Sequence, residues 1–192
     1  MKLRAIDITL SGMFAALMAI GANITSFIVI GGVPITLTTF FCILAGLLLG
    51  SRLGSIAMIV YALIGLAGAP VFSKFSGGLS VIVSPTFGFI LSYIIVAYVV
   101  GKIVEWKPSK RNFILAALIG FVINYVFGTN WMYFSYKYLA ASDAISYSVA
   151  WSWMILPLPK DIILSILAGV LAPRLYKNIN RNMIVLKDKS IA

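Results

Sequence analysis

The residues able to do chemistry in this chain are few, and their types argue against catalysis. There is no histidine, which removes the commonest acid–base and metal-binding side chain. The acids are Asp7, Glu105, Asp143, Asp161 and Asp188. Four of them fall at helix ends, in a loop or in the tail, so no pair of carboxylates is assembled for hydrolysis or for a metal cluster. The exception is Asp161, which stands beside Lys160 in Pro157-Leu158-Pro159-Lys160-Asp161-Ile162 at the start of an apolar run. An ionisable group in a membrane-length helix is costly unless it faces a partner or a polar cavity, which makes Asp161 a ligand-binding candidate. The plainer reading is that it complements the positive end of its helix while Lys160 snorkels outward. Asn124, midway along another apolar run, is the second buried polar candidate, either for a ligand or for an interhelical hydrogen bond. Cys42 is the single cysteine and reads as a packed small side chain. No glycine-rich loop ending in Gly-Lys-Ser/Thr is present, so any use of ATP falls to another subunit. The chain is expected to be a non-enzyme without cofactor or metal.

The elements that hold these residues read as membrane helices. Of 192 residues, 61% are hydrophobic and 10% charged, against roughly half and a quarter in soluble domains. Runs such as Phe40-Phe41-Cys42-Ile43-Leu44-Ala45 are apolar on every face, which excludes the alternation of a β-barrel. The expected fold is all-α, an integral membrane bundle of six transmembrane helices forming a single substrate-binding domain over 1–192. The crossings are expected at about 6–30, 35–50, 56–69, 84–104, 113–134 and 158–175. The first is long enough to be retained as a helix rather than removed as a signal peptide. The second and third are short against the ~20 residues of a full crossing. Either they tilt less than average, or their outer ends stop below the membrane surface and leave a recess. Between the third and fourth lies an irregular loop containing Phe72, Lys74, Gly77 and Gly78. Ser84 is placed to cap the fourth helix, with Pro85 in its first turn, and Ser142-Asp143 are placed to cap a short surface helix.

The net charge of +10 does not point to nucleic acid, because the basic residues sit between apolar runs rather than on a folded basic face. They read as topology signals and contacts to the lipid bilayer. With six crossings, one side collects Lys2, Arg4, Arg52, Lys102, Lys107, Lys110, Arg111, Arg174, Lys177, Arg181, Lys187 and Lys189, and the other only Lys74, Lys137 and Lys160. Cytoplasmic loops are the basic ones, so both termini are expected in the cytoplasm. The first helix carries Gly12, Ala15, Ala16, Ala19 and Ala22, a small-residue face that admits close helix approach, either within the chain or from a second protein. Trp131, Tyr133, Phe134, Tyr136, Tyr138, Trp151 and Trp153 are expected to form an interfacial belt near the outer surface.

Gly31-Gly32-Val33-Pro34-Ile35-Thr36-Leu37-Thr38-Thr39-Phe40 followed by Leu44-Ala45-Gly46-Leu47-Leu48-Leu49-Gly50, then Gly65-Leu66-Ala67-Gly68-Ala69-Pro70-Val71-Phe72, Ser76-Gly77-Gly78 and Ser84-Pro85-Thr86-Phe87-Gly88-Phe89, resemble in their order the signature of the BioY family. The match covers most of the first half of the chain. The second half matches through Gly128, Trp131 and the proline-plus-Asp161 start of the last helix. The resemblance implies a biotin-specific S component of an energy-coupling factor transporter in a bacterial cytoplasmic membrane. It implies a pocket near the outer surface, and as partners a transmembrane coupling protein and two cytoplasmic ATPases. It also implies that Ala15 and Ala19 dock the coupling protein. The chain departs from the family pattern where Lys160 directly precedes Asp161, and where Lys74 enters a loop that is otherwise small and uncharged.

Biotin offers two ureido N–H donors, a carbonyl acceptor, an apolar ring and chain, and a carboxylate. The substrate-binding set expected for it is Asp161, Lys160, Asn124, Thr86, Ser84, Gly77, Gly78, Phe72, Lys74 and Thr36. Asp161 would accept from the ureido, and Lys160 or Lys74 would meet the carboxylate. The rival readings are an S component for thiamin or riboflavin, a small membrane enzyme, and a structural adaptor.

Overall fold

The computed structural model describes residues 4–30, 33–139 and 144–189. Six α-helices carry them: α1 (Ala5–Asn23), α2 (Thr38–Leu66), α3 (Phe87–Trp106), α4 (Lys110–Tyr138), α5 (Tyr147–Ile155) and α6 (Leu158–Lys189). A two-stranded antiparallel ribbon, β1 (Val29–Ile30) with β2 (Val33–Pro34), joins α1 to α2. Short 3-10 turns at Ser73–Phe75 and Leu79–Val83 lie between α2 and α3. Helices α1 to α4 are each long and apolar enough to cross a membrane. A fifth span is available if α5 and the first part of α6, bent by 57° at their junction, are taken together.

Helix α2 is a folded hairpin rather than one rod. Gly50 has φ 80° and ψ 179°, which is not helical, and is a conformation open to glycine. A Cβ on Gly54 would lie 3.1 Å from Gly46 Cα, whereas eight residues of straight helix would separate the two by ~12 Å. The arms 38–49 and 51–66 therefore run antiparallel, as the two short apolar segments on either side of Arg52 anticipated. The turn packs onto α3 with almost no space, since a Cβ on Gly101 would come within 2.2 Å of Ser51 N. Glu105 fixes it, accepting from the Ser51 amide at 2.7 Å and the Ser51 hydroxyl at 2.9 Å.

Most basic side chains among the described residues gather at this hairpin end. Arg52 begins the second arm and acts electrostatically on Asp7 at the start of α1. Lys102, Lys107, Lys110 and Arg111 flank the α3–α4 junction. A Phe113–Tyr176 ring contact, centroids 5.5 Å apart, brings the Arg174 and Lys177 region of α6 to the same end.

Helix α6 runs on to Lys189 and α4 spans Lys110–Tyr138, both longer than the sequence expectation, and three further boundaries differ for local reasons. Helix α1 stops at Asn23 instead of Ile30, because the β-branched run Ile24-Thr25 and Ile28-Val29-Ile30 suits an extended ribbon. Helix α3 begins at Phe87 rather than at Ser84, and the Phe87 amide bonds the Ser84 carbonyl, not its side chain. The short helix is capped by Ser146, whose hydroxyl accepts from Val149 N at 3.3 Å. Asp143 and Ser142 lie outside the described residues, as do Gly31 and Gly32.

Candidate ligand-binding site

At the end opposite the hairpin turn, the bundle opens into a cavity lined by residues of the helices and of the loop after α2. Its position follows from the short arms of α2. Thr36, Thr38 and Thr39 enter it at the start of the first arm and Tyr61 near the end of the second, while Ala22 closes α1 beside them. The starts of α3 and α6 and the middle of α4 complete the wall through Thr86, Phe89, Ile90, Tyr93, Asn124, Tyr125, Lys160 and Asp161. Phe72 and Ser73 line it from the loop after α2.

Two hydrogen-bonded groups divide the polar lining. In the first, the Asn124 amide donates to Thr39 Oγ1 at 3.2 Å and its carbonyl accepts from Ser92 at 2.7 Å. Asn124 is only 2% exposed, and it retains a second amide hydrogen for a ligand. In the second, Tyr125 donates to Asp161 Oδ2 at 2.7 Å, and Lys160 Nζ lies 2.9 Å from Asp161 Oδ1. That ammonium is directed at the Thr36 carbonyl and lacks hydrogen-bond angles to Oδ1, which is buried without a hydrogen-bond partner. Asp161, 6% exposed, therefore presents an acceptor with unused capacity inside the cavity. A further run of hydroxyls, Thr36 to Thr38 to Tyr93, each step 2.7 Å, stiffens the wall between the groups.

Six of the expected binding residues meet here: Asp161, Lys160, Asn124, Thr86, Phe72 and Thr36. Four do not line the cavity. Gly77 and Gly78 shape the covering loop instead: a Cβ on Gly77 would strike the Ala69 carbonyl at 2.3 Å, and Gly78 has φ 91°. Its amide bonds the Gly65 carbonyl at 2.7 Å, close to where Gly65 leaves room for the Phe72 ring. Ser84 serves through its carbonyl, which accepts from Trp131 Nε1 at 3.2 Å. Lys74 is exposed on the loop.

Ala15 is 5% exposed and packed in this chain's own core, and Ala19 is partly buried against it. Of the small-residue face read from the sequence, Gly12 and Ala16 are the exposed members.

Tyr125, Tyr93, Tyr61, Thr38 and Thr39 were not anticipated. The available signal was that a tyrosine deep in an apolar helix needs a partner for its hydroxyl. Among the described residues, no group of three or more His, Cys, Asp or Glu could hold a metal ion.

The BioY family profile matches residues 1–181. The chain belongs to the BioY family. A BioY-family relative in Bacillus subtilis, BioYB, is 49% identical over 185 residues, covering 94% of this chain and 92% of its own. A Thermotoga maritima protein named as the biotin transporter BioY is 34% identical over 167 residues, covering 87% and 94%. Among solved structures, the S component for biotin from an ECF-type ABC transporter superposes with a TM-score of 0.79 at 23% identity, over 92% of this chain and 95% of that one. The chain thus shares the S-component fold.

Proposed function

We propose that this chain is the biotin-capturing S component of an energy-coupling factor uptake transporter. Membership of the BioY family and the name of its Thermotoga maritima relative support the ligand. The observation that carries the reading is the pairing of the buried Asp161 with the partly exposed Lys160 on the cavity wall, 2.9 Å apart. The pair is close to electrically neutral, so it offers little net attraction to a carboxylate. It does match a ureido group, which brings donors and an acceptor together. Asp161 Oδ1 takes a ureido N–H, and Lys160 donates to the ureido carbonyl, a revision of the expectation that this lysine meets the carboxylate. The ring and chain then lie against Phe72, Phe89 and Ile90, with the carboxylate toward the open side.

The transport setting extends the same proposal. The α2 hairpin makes two short crossings and the α5–α6 pair one, giving six, with the basic hairpin end and both termini in the cytoplasm of a bacterial cell. The outward face of α1, bearing Gly12 and Ala16, is the surface for a transmembrane coupling protein that works with two ATPases. Co-expression with such a module in a biotin auxotroph tests this. Growth at low biotin is expected, and growth no better than with the module alone would contradict it.

A further inference from the structure

The loop covering the cavity is tied to helix α1 by one buried side chain. Asn23, the last residue of α1 and 7% exposed, accepts from the Phe75 amide at 2.7 Å through Oδ1. Its Nδ2 donates to the Ala19 carbonyl at 2.9 Å and reaches the Val71 carbonyl at 3.4 Å. The carboxamide therefore grips both sides of the segment that holds Phe72 and Ser73, the two loop residues lining the cavity. The segment between those grips is unfavourable on its own. Lys74 and Phe75 are consecutive non-glycine residues with φ 60° and 53°, a conformation that persists only where the surroundings over-determine it. Neighbouring contacts show what the grip holds in place. Tyr61 donates to the same Val71 carbonyl at 3.2 Å, and the Phe72 ring stacks edge-on against Tyr61, centroids 5.3 Å apart.

We propose that Asn23 is a positioning residue for ligand retention: it touches no ligand, but latches the Val71–Phe75 cover to α1 so that Phe72 and Ser73 stay closed over the bound molecule. The latch holds the cover closed over an occupied cavity, so its loss is read first in the rate of escape. Nearby Ala22 is itself a cavity residue, which makes the last turn of α1 both wall and anchor.

The inference rests on the reading of the cavity as a biotin site, and the test separates the two. Association and dissociation of radiolabelled biotin are measured on the purified full chain in lipid nanodiscs, for wild type and Asn23→Leu, alongside trypsin cleavage after Lys74 in the ligand-free protein. Leucine keeps the size of asparagine and removes both grips. The expected result is dissociation faster by about tenfold, the loss of roughly one to two net hydrogen bonds. Association should stay within about twofold, and cleavage at Lys74 should speed up as the cover opens locally. Should Asn23→Leu not accumulate, Asn23→Ser, too short to reach Phe75, carries the same expectation. A wild-type dissociation rate in the variant, or a loss confined to association, would overturn the latch. Wild-type protein that binds no biotin would instead overturn the reading on which it rests.

Discussion

Replacing Asp161 with asparagine probes the centre of the site while keeping its shape. In the structure Oδ2 is held by Tyr125 at 2.7 Å, so Oδ1, buried and without a hydrogen-bond partner, is the oxygen left for a ureido N–H. Asparagine can keep its oxygen toward Tyr125 only by turning an N–H toward the ligand, which sets donor against donor. A hydrogen bond to a charged group contributes about 1.5–3 kcal/mol, so biotin affinity should fall by roughly 10- to 150-fold. The variant also leaves the Lys160 ammonium without its neutralising partner, and a thermal melt of the ligand-free protein checks that the bundle survives. Titration of the purified variant with biotin and with biotin methyl ester gives the discriminating readout. Both ligands carry the same ureido, so both should weaken alike. Wild-type affinity for biotin would remove Asp161 from the site and refute the argument from its unused oxygen.

Other variants test separate parts of the account. Lys160→Ala should weaken biotin and its methyl ester by similar factors, about tenfold for a charge-assisted bond to the ureido carbonyl; a clearly larger loss for biotin would place this lysine at the carboxylate. Ala16→Trp, on the outward face of α1, should abolish energised uptake by cells while leaving biotin binding to the isolated chain intact. Ala15→Trp, in the core, should lower the melting temperature and the folded yield, and a variant that melts like wild type would contradict the inward placement of Ala15. Single cysteines at Lys74 and Lys110, in a Cys42→Ala background, should react with an impermeant thiol reagent in intact cells at Lys74 only; external labelling at Lys110 would reverse the orientation.

How far the sequence led depended on the kind of signal each feature left. The helices of 84–104, 113–134 and 158–175 were legible because long apolar runs bounded by basic or proline-rich segments have little alternative in lipid. The hairpin at Gly50 was legible as two short apolar segments, although the break fell one residue before the expected Ser51–Gly54 connection. The ribbon after Asn23 was not, because an apolar, β-branched stretch gives the same hydropathy as a helix and differs only in backbone preference.

Within the site, Asp161, Lys160 and Asn124 stood out as polar groups that an apolar bundle must accommodate. Tyr93 and Tyr125 did not, since a helix apolar on every face carries no period from which to read its rotation. The glycines Gly77 and Gly78 and Ser84, expected among the substrate-binding residues, are not among those that line the cavity. A glycine motif announces a backbone constraint, and only the packed loop shows that the constraint is there to seat Phe72 against Gly65.

Equilibrium binding of radiolabelled biotin to the purified chain, in the absence of any coupling protein, bears most directly on the account. One biotin should bind per chain, saturably, and excess unlabelled biotin should displace it while equal excesses of thiamin and riboflavin do not. Displacement by either of those vitamins, or no saturable biotin binding by correctly folded protein, would contradict the assignment of the cavity formed by Asp161, Lys160, Asn124 and Phe72.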